Sequence, residues 1–167
     1  MHESFVREGY RSHLVISSWN VEGLTAVKIE EVCTYMLNNS VDIMCLQETR
    51  RGNSDTFCTD RGFQVFESGR GDGLRETAGV AFLISPRMRA HILSFTPHSS
   101  RVAALKIRVR GGCMGVVCVY APHNLKPLPD RLSFYDDLER SLRSLSVNGA
   151  KLFVRRLERA PPEAKTW

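Results

Sequence analysis

The sequence predicts a single α/β domain, and three observations carry that prediction. An apolar, β-branched run at 13–19, an amphipathic stretch at 27–39 and a short apolar run at 42–46 follow one another as strand, helix and strand. A β-hairpin is predicted over 105–120, and a second amphipathic stretch at 131–145 predicts another helix. Strands and helices interleaved in this way are typical of a layered α/β architecture.

The first two predicted strands form a βαβ unit. The strand from His13 to Trp19 ends at Asn20, before a turn at Gly23, and the second strand leads into Glu48. Strands joined by a helical crossover run parallel, so Asn20 and Glu48 are expected at the same edge of the sheet, where ligands bind α/β sheets. The connecting helix is expected to bury one apolar face, formed by Ile29, Val32, Cys33, Met36 and Leu37.

The remaining elements follow from turn residues and alternation. Shorter strands are predicted at 63–67, 79–85 and 90–95, with a glycine-rich loop at 69–73. In the hairpin, apolar and basic residues alternate before the turn at Gly111-Gly112, and the return strand ends at Tyr120. Asp130 is predicted to cap the last helix. The apolar stripe of that helix is predicted to consist of Leu132, Tyr135, Leu138, Leu142 and Leu145.

The composition fits a soluble, enzyme-sized domain. Of the 167 residues, 43% are hydrophobic and 25% are charged, which is ordinary for a globular chain. The longest apolar run, 114–122, is too short to span a bilayer, and the N-terminus lacks a signal-peptide core. The five cysteines form no CxxC pair, so reduced core thiols are expected. We expect an intracellular protein, neither secreted nor transmembrane, with the nucleus as one candidate compartment.

The net charge of +5 says little about a partner. Residues 151–167 hold five basic and two acidic residues, so +3 of the charge lies there and only +2 in the remaining chain. A local arginine cluster facing a phosphate backbone is one interpretation, and a solvated arginine-rich surface is the other. The cluster would consist of Arg70, Arg75, Arg87, Arg89 and Arg101.

Five short segments of distinctive sequence lie in a fixed order along the chain. They are Ser-Trp-Asn-Val-Glu-Gly at 18–23, Cys-Leu-Gln-Glu-Thr at 45–49, the Gly-Val-Ala strand within 75–84, Ser-Arg-Val-Ala-Ala-Leu-Lys-Ile at 100–107 and Val-Tyr-Ala-Pro-His at 119–123. With them, residues 13–154 resemble the endonuclease/exonuclease/phosphatase superfamily, most like the apurinic/apyrimidinic-type endonuclease domain of non-LTR retrotransposons. The resemblance implies a DNase I-like four-layer α/β sandwich, here incomplete, in which mixed sheets are flanked by helices.

The resemblance also implies an active site. Glu48 would bind Mg²⁺, with Mn²⁺ as the alternative ion, because such cations prefer hard oxygen ligands. Asn20 would lie beside the metal and the phosphate, as both a metal-site and a catalytic residue. Tyr120 would be a catalytic residue that hydrogen-bonds a phosphate oxygen, and His123 and Asn124 would bind phosphate next to it.

These residues differ in how closely they match the family pattern. His123 stands where many relatives have asparagine, with Asn124 one place later. Glu22 stands where several relatives have aspartate, and it would orient a metal-bound water through a longer side chain. Each of the remaining three residues also has a structural interpretation. Glu48 would be a helix or loop cap, Asn20 a turn residue and Tyr120 a core residue.

Two motifs of the family site are missing from this sequence. In the proteins it resembles, a strand like Lys151–Val154 leads into Gly-Asp-x-Asn, and Ser-Asp-His lies near the C-terminus; neither motif occurs here. We therefore expect an N-terminal extension at 1–12, a C-terminally truncated domain at 13–154 and a non-family basic, proline-containing tail at 155–167. A frameshift, retained intron or premature end would produce this change. We predict that the nucleotide sequence past codon 154, read in the other frames, encodes Gly-Asp-Phe-Asn or a similar sequence; if it does not, the tail is a genuine end.

The missing motifs predict a weak enzyme and an unstable fold. Losing one electrostatic or acid-base group commonly costs roughly 10² to 10⁴ in rate, so activity is expected near background. Residues 13–154 are expected to supply the first sheet, its helices and little of the second sheet. An apolar sheet face would then meet solvent, which predicts marginal stability.

Three functions are compatible with the sequence. The first is a metal-dependent, retroelement-type endonuclease that nicks DNA, present as a catalytically incomplete copy. The second is a phosphatase or phosphodiesterase of the same fold that acts on an inositol polyphosphate, a sphingolipid or a poly(A) tail, although the short insertions favour a nuclease. The third is a non-catalytic fragment that binds nucleic acid or protein. DNA is the expected partner, no membrane association is expected, and the oligomeric state is left open.

Overall fold

The computed structural model describes residues 14–69 and 78–145, and the backbone of 151–157. These residues form two β-sheets, two α-helices and a 3₁₀ helix at Pro86–His91. The predicted glycine-rich loop falls outside them beyond Gly69. In chain order the elements are β1 (Ile16–Asn20), α1 (Ala26–Asn38), β2 (Ile43–Gln47), β3 (Asp55–Cys58), β4 (Gln64–Ser68), β5 (Val80–Ile84), β6 (Ile92–Ser99), β7 (Val102–Val109), β8 (Gly112–Ala121), α2 (Leu128–Ser144) and β9 (Lys151–Leu157).

The first sheet contains the predicted βαβ unit. Its strand order is β1-β2-β5-β4-β3, and β1 and β2 pair in parallel, so the predicted parallel arrangement is confirmed. Helix α1 begins after Thr25, whose side-chain oxygen accepts a hydrogen bond from the backbone N–H of Lys28 at 3.2 Å. The helix buries Ile29, Val32, Cys33 and Met36. Leu37 was wrongly predicted on this face and is exposed, because it lies about 100° around the helix from Met36.

The second sheet has the strand order β6-β7-β8-β9 within the described residues. The predicted hairpin is confirmed as β7 and β8, and Gly111 at its turn has a φ of 85°, a conformation that glycine adopts without strain. Strand β9 pairs in parallel with β8 and continues past Val154 to Leu157. The expectation that little of the second sheet would be present is therefore wrong.

The molecule has four layers, in the order α1, first sheet, second sheet, α2. Between the sheets, Phe82 and Ile84 share a buried core with Leu105 and Ile107. A separate core joins the first sheet to α1, and a third joins the second sheet to α2. The predicted exposed apolar sheet face is also wrong, because the second sheet covers the inner face of the first and α2 packs on the outer face of the second.

Some element boundaries differ from the sequence prediction. Strand β3 was not predicted, and residues 90–91 end a 3₁₀ helix rather than begin a strand. Helix α2 begins after Pro127, so Asp130 lies in its first turn instead of capping it. Pro129 in the first turn suits this helix start because the φ of proline is already helical and its missing N–H has no intrahelical partner there.

The buried face of α2 also differs from the predicted stripe. Phe134, Ser141 and Leu145 are buried and Leu138 packs with them, whereas Leu132 and Tyr135 are exposed. Gly115 on β8 makes room for this packing, since a Cβ there would lie 2.8 Å from Leu145 Cδ1. The position of Leu145, directly after the helix, thus depends on a glycine in β8. Across the described residues, no helix is long and apolar enough to cross a membrane.

Candidate active site

The Glu48 carboxylate joins residues from both sheets. Its Oε1 accepts hydrogen bonds from Asn20 Nδ2 at 2.8 Å and from the Tyr120 hydroxyl at 3.0 Å. Asn20 ends β1, Glu48 directly follows β2, and Tyr120 lies near the end of β8. The parallel pair brings the first two together, as its geometry predicted, and the packing of the second sheet adds the third.

A buried polar network below Glu48 connects the two sheets. Gln47 is fully buried, and its Oε1 accepts a hydrogen bond from Ser18 Oγ at 3.1 Å. Its Nε2 lies 3.4 Å from Cys118 Sγ, which in turn donates to the carbonyl of Leu46 at 3.4 Å. These contacts cross from β2 to β8 directly beneath the site, and they link the strand that leads into Glu48 to the strand that carries Tyr120. Gln47 was not predicted as a site residue, although it lies within the Cys-Leu-Gln-Glu-Thr segment.

The backbone of the site loops is strained. Glu22, Glu48 and Arg50 have φ values of 51°, 56° and 55°, in the left-handed region that non-glycine residues rarely adopt. The Glu48 carbonyl accepts a hydrogen bond from the N–H of Gly23 at 2.8 Å, so the loop after β2 is bonded to the loop after β1. Such strain persists only where the surrounding structure enforces it, and it is frequent at functional sites.

Gly79 fixes the other side of the Glu48 loop. Its carbonyl accepts a hydrogen bond from the N–H of Thr49 at 3.1 Å, and its own N–H donates to the carbonyl of Ser100. Gly79 has a φ of 113°, and a Cβ there would lie only 2.2 Å from Thr49 Oγ1. Only glycine allows the two segments to approach this closely.

Two arginines lie at the site, Arg50 beside the Glu48 carboxylate and Arg101 beside Tyr120. Arg50 Nη2 lies 3.7 Å from Glu48 Oε2, and the Glu48 side chain is 15% exposed. The Arg101 guanidinium lies 5.3 Å from the centre of the Tyr120 ring, and its Nη1 donates to the Tyr120 carbonyl at 3.2 Å. Arg50 was not predicted as a site residue. Arg50 follows Glu48 by two residues in the sequence, but only the turn of the loop brings its side chain back to the Glu48 carboxylate.

The other predicted site residues lie on the loops that follow β1 and β8. Glu22 and Asn124 are exposed, and His123 is half-buried. His123 Nδ1 accepts a hydrogen bond from the N–H of Leu125 at 3.1 Å. In the described part of the chain, no hydrogen bond joins Glu22, His123 or Asn124 to Glu48, so their roles stay predictions.

The predicted arginine cluster does not form a single patch. Arg87 pairs with Asp42 at the start of β2, and Arg89 bonds the carbonyl of Gly62 near the start of β4. Arg101 lies at the opposite edge of the sheets. It is separated from Arg87 by the length of the five-residue strand β2, about 16 Å. Arg70 and Arg75 lie outside the described residues.

The sequence profile of the Endonuclease/Exonuclease/phosphatase family matches residues 17–154. The chain belongs to this family. The resemblance drawn from the five segments is thereby confirmed, and the two flanked sheets correspond to the DNase I-like fold of the family. A comparison with curated protein sequences finds no significant match.

Solved structures share this fold. The endonuclease domain of TRAS1, a telomere-specific non-LTR retrotransposon, aligns with a TM-score of 0.58 at 19% identity, over 83% of this chain and 56% of that one. The catalytic domain of Xenopus laevis APE2 aligns with a TM-score of 0.57 at 16% identity, over 84% and 57%. The 3′ phosphatase NExo from Neisseria, bound to a product DNA hairpin, aligns with a TM-score of 0.57 at 17% identity, over 84% and 57%. The chain thus spans little more than half the length of these structures.

The site has oxygen atoms suited to the divalent metal ion on which this family generally depends. Asn20 Oδ1 is buried without a hydrogen-bond partner, next to the Glu48 carboxylate. The described residues contain no group of three or more His, Cys, Asp or Glu side chains that would enclose an ion. Mg²⁺ does not require one, because it keeps several waters and is commonly held by one or two carboxylates with substrate phosphate. The residues present therefore fit this kind of ion.

Proposed function

We propose that this chain provides the metal-binding and phosphate-binding part of a DNA-acting phosphodiesterase site. The observation that carries the proposal is the single oxygen Glu48 Oε1, which the Asn20 amide and the Tyr120 hydroxyl both bond at one edge of the fold. We propose Mg²⁺ as the ion, with Mn²⁺ able to replace it.

Each residue of this trio has a distinct task in the proposal. Glu48 and Asn20 Oδ1 hold the ion, which supplies positive charge to the non-bridging phosphate oxygens. Asn20 Nδ2 fixes the orientation of Glu48. The Tyr120 hydroxyl carries one proton, so it exchanges its bond with Glu48 for a bond to a phosphate oxygen when substrate binds. Arg50 adds positive charge beside the same phosphate.

The loops after β1 and β8 extend the site. His123 Nδ1 accepts a hydrogen bond, so the neutral ring carries its proton on Nε2 and can donate it to phosphate. Asn124 is exposed beside it and offers a second donor. In the proposal, Glu22 orients a water toward the phosphorus from the loop that follows Asn20.

DNA is the proposed substrate class, and hydrolysis by these residues is proposed to be slow. Two of the similar structures are the endonuclease domain of TRAS1 and a 3′ phosphatase bound to a DNA hairpin. These similarities support DNA as the substrate over lipid or inositol phosphates. The sequence contains no Gly-Asp-x-Asn and no Ser-Asp-His, which supply the water-orienting aspartate and its histidine partner in the proteins it resembles. Each missing group lowers the rate by roughly 10² to 10⁴.

Metal binding and DNA cleavage are measured on the same variants. We expect the 167-residue chain to bind Mn²⁺ in an electron paramagnetic resonance titration, with Mg²⁺ competing, and Glu48→Ala to weaken the affinity by about tenfold or more because a charged ligand is lost. Plasmid nicking with Mg²⁺ is expected near the level seen with EDTA. An oligonucleotide with a 3′-phosphate tests the phosphatase alternative.

The control is Glu139→Ala, which removes an exposed carboxylate on α2. It should bind Mn²⁺ like the unaltered chain. Equal Mn²⁺ affinity of the unaltered chain and Glu48→Ala would refute the proposed site. Rapid nicking that requires both Mg²⁺ and Glu48 would support the site and refute the slow hydrolysis.

A further inference from the structure

One arginine outside the trio links both site loops to the first sheet. Arg51 Nε donates a hydrogen bond to the carbonyl of Leu24 at 3.0 Å, and it lies 3.4 Å from Glu67 Oε1 on β4. Leu24 belongs to the loop that follows Asn20, and Arg51 belongs to the loop that follows Glu48. A single side chain therefore spans three segments.

Glu67 is a buried carboxylate for which the proposed chemistry has no use. Its side chain is 4% exposed, and its Oε1 has no hydrogen-bond partner among the described residues. Burial raises the pKa of Glu67, the Arg51 guanidinium opposes that rise, and Asp55 adds to it. A buried carboxylate attracts a neighbouring cation strongly because little water screens the charge. Glu67 thus holds the Arg51 side chain in place.

The two site loops form a short ladder that Arg51 closes. Gly23 N–H donates to the Glu48 carbonyl and Leu24 N–H donates to the Thr49 carbonyl, each at 2.8 Å. The carbonyl of Leu24 then accepts from Arg51. Leu24 is consequently bonded through both its N–H and its C=O, so the loop after Asn20 cannot separate from the loop after Glu48 without breaking the Arg51 contact.

We propose that Arg51 and Glu67 form a positioning pair, which holds the loop carrying Asn20 against the loop carrying Glu48 and thereby sets the affinity of the site for its divalent ion. The inference rests on the proposed function of that site. Among the described residues, neither member of the pair bonds the side chain of Asn20 or Glu48, so the pair acts through the backbone of the loops.

The test compares Glu67→Gln with the double variant Arg51→Met/Glu67→Gln. In both proteins no charged carboxylate remains at position 67, so the loss of Arg51 leaves no buried unpaired charge, and similar melting temperatures are expected. In Glu67→Gln the new amide oxygen can still accept a hydrogen bond from Arg51, which can still donate to the Leu24 carbonyl, whereas the double variant loses both contacts. The double variant should therefore bind Mn²⁺ about tenfold more weakly, the lower end of the effect usual for groups that support metal ligands.

The matched control is Arg61→Met. Arg61 is also a half-exposed arginine that bonds across elements, to Glu30 and Thr34 of α1, but it lies in the turn before β4, at the sheet edge away from Glu48. Its substitution should leave Mn²⁺ affinity unchanged. If the double variant binds Mn²⁺ as tightly as Glu67→Gln does, the positioning role is refuted.

A second measurement separates this inference from the proposed function. Should the unaltered chain bind no Mn²⁺, or Glu48→Gln bind it equally well, the proposed metal site fails, and amide hydrogen exchange without metal decides on the pair. Faster exchange of the Gly23 and Leu24 amides in the double variant than in Glu67→Gln supports the positioning pair. Equal exchange at both amides overturns it.

Discussion

The conformation of single residues decides where the Glu48 carboxylate points. A φ of 56° turns the chain sharply after β2, so the side chain faces Asn20 and Tyr120 instead of continuing the alternation of the strand. Left-handed conformations cost non-glycine residues about 1–2 kcal/mol each, and Glu22 and Arg50 carry the same cost nearby. The hydrogen bonds between the loops offset this strain, which is why a compact charged site forms here.

Glu67 is expected to make stability depend on pH. Burial raises the pKa of Glu67 in the folded state, so the folded protein favours the protonated side chain. The resulting contribution to the free energy of unfolding is fully present below the unfolded-state pKa of about 4.3, and it is lost as the pH rises through the folded-state pKa. At neutral pH the charged, buried carboxylate is therefore unfavourable. Glu67→Gln should raise Tm at pH 7, and the gain should shrink toward pH 4. Thermal melts across this pH range measure it, and a gain that grows toward pH 4 would contradict the assignment.

At the scale of elements, the site depends on three strands that end at one edge. The parallel pair of β1 and β2 positions Asn20 and Glu48, and the loop after β2 is held between the loop after β1 and the segment before β5. The close approach at Gly79 is part of this arrangement. Changes in the packing of these loops should therefore affect metal binding as well as stability.

Gly79→Ala tests the close approach of these loops. A Cβ would meet Thr49 Oγ1 at 2.2 Å in a backbone with a φ of 113°, so we expect the free energy of unfolding to fall by about 2–4 kcal/mol. Mn²⁺ affinity should fall with it because the Glu48 loop must move. Urea denaturation and the Mn²⁺ titration give the two values.

Gly111→Ala is the matched control for Gly79→Ala. Gly111 also has a positive φ, of 85°, but a Cβ there meets nothing within 4 Å. Its substitution should cost only the backbone strain, about 1 kcal/mol, and leave Mn²⁺ affinity unchanged. Equal losses of stability in the two variants would show that the contact with Thr49 has no effect.

At the scale of the whole molecule, the four layers place each sheet between two neighbouring layers. The first sheet lies between α1 and the second sheet, and α2 covers the outer face of the second sheet through Phe134 and Leu145. The sheet face that was expected to meet solvent is covered, so marginal stability no longer follows from it. The packing of α2 becomes the feature on which the stability of the second sheet depends.

Phe134→Ala is expected to lower the free energy of unfolding by about 3–5 kcal/mol, because it leaves a cavity between α2 and the second sheet. Leu132→Ala, on the exposed side of the same helix, should change it by about 0.5 kcal/mol or less. Both variants should bind Mn²⁺ normally, since α2 packs on the outer face of the second sheet, whereas Tyr120 belongs to the core between the two sheets. Similar losses in chemical denaturation of the two variants would contradict the observed orientation of the helix.

Much of the fold and part of the site could be predicted from sequence alone. The βαβ unit and the hairpin follow from apolar periodicity and from Gly111-Gly112, which act between near neighbours in the chain. Asn20, Glu48 and Tyr120 stand in distinctive segments at strand ends, so the family and three residues of the candidate site were identified before any contact was known. Strand β3 was missed because Asp55–Cys58 is short, and most of it is exposed.

The sequence by itself determined the family, the local elements and the residue types of the candidate site. Only the tertiary structure decided that the second sheet covers the first, that α2 buries Phe134 rather than Leu132, and that Arg51 joins Leu24 to Glu67. Apolar periodicity and turn residues reflect interactions between residues that are close in the sequence. The contact between Tyr120 and Glu48 spans 72 positions, and it exists only because the two sheets pack together.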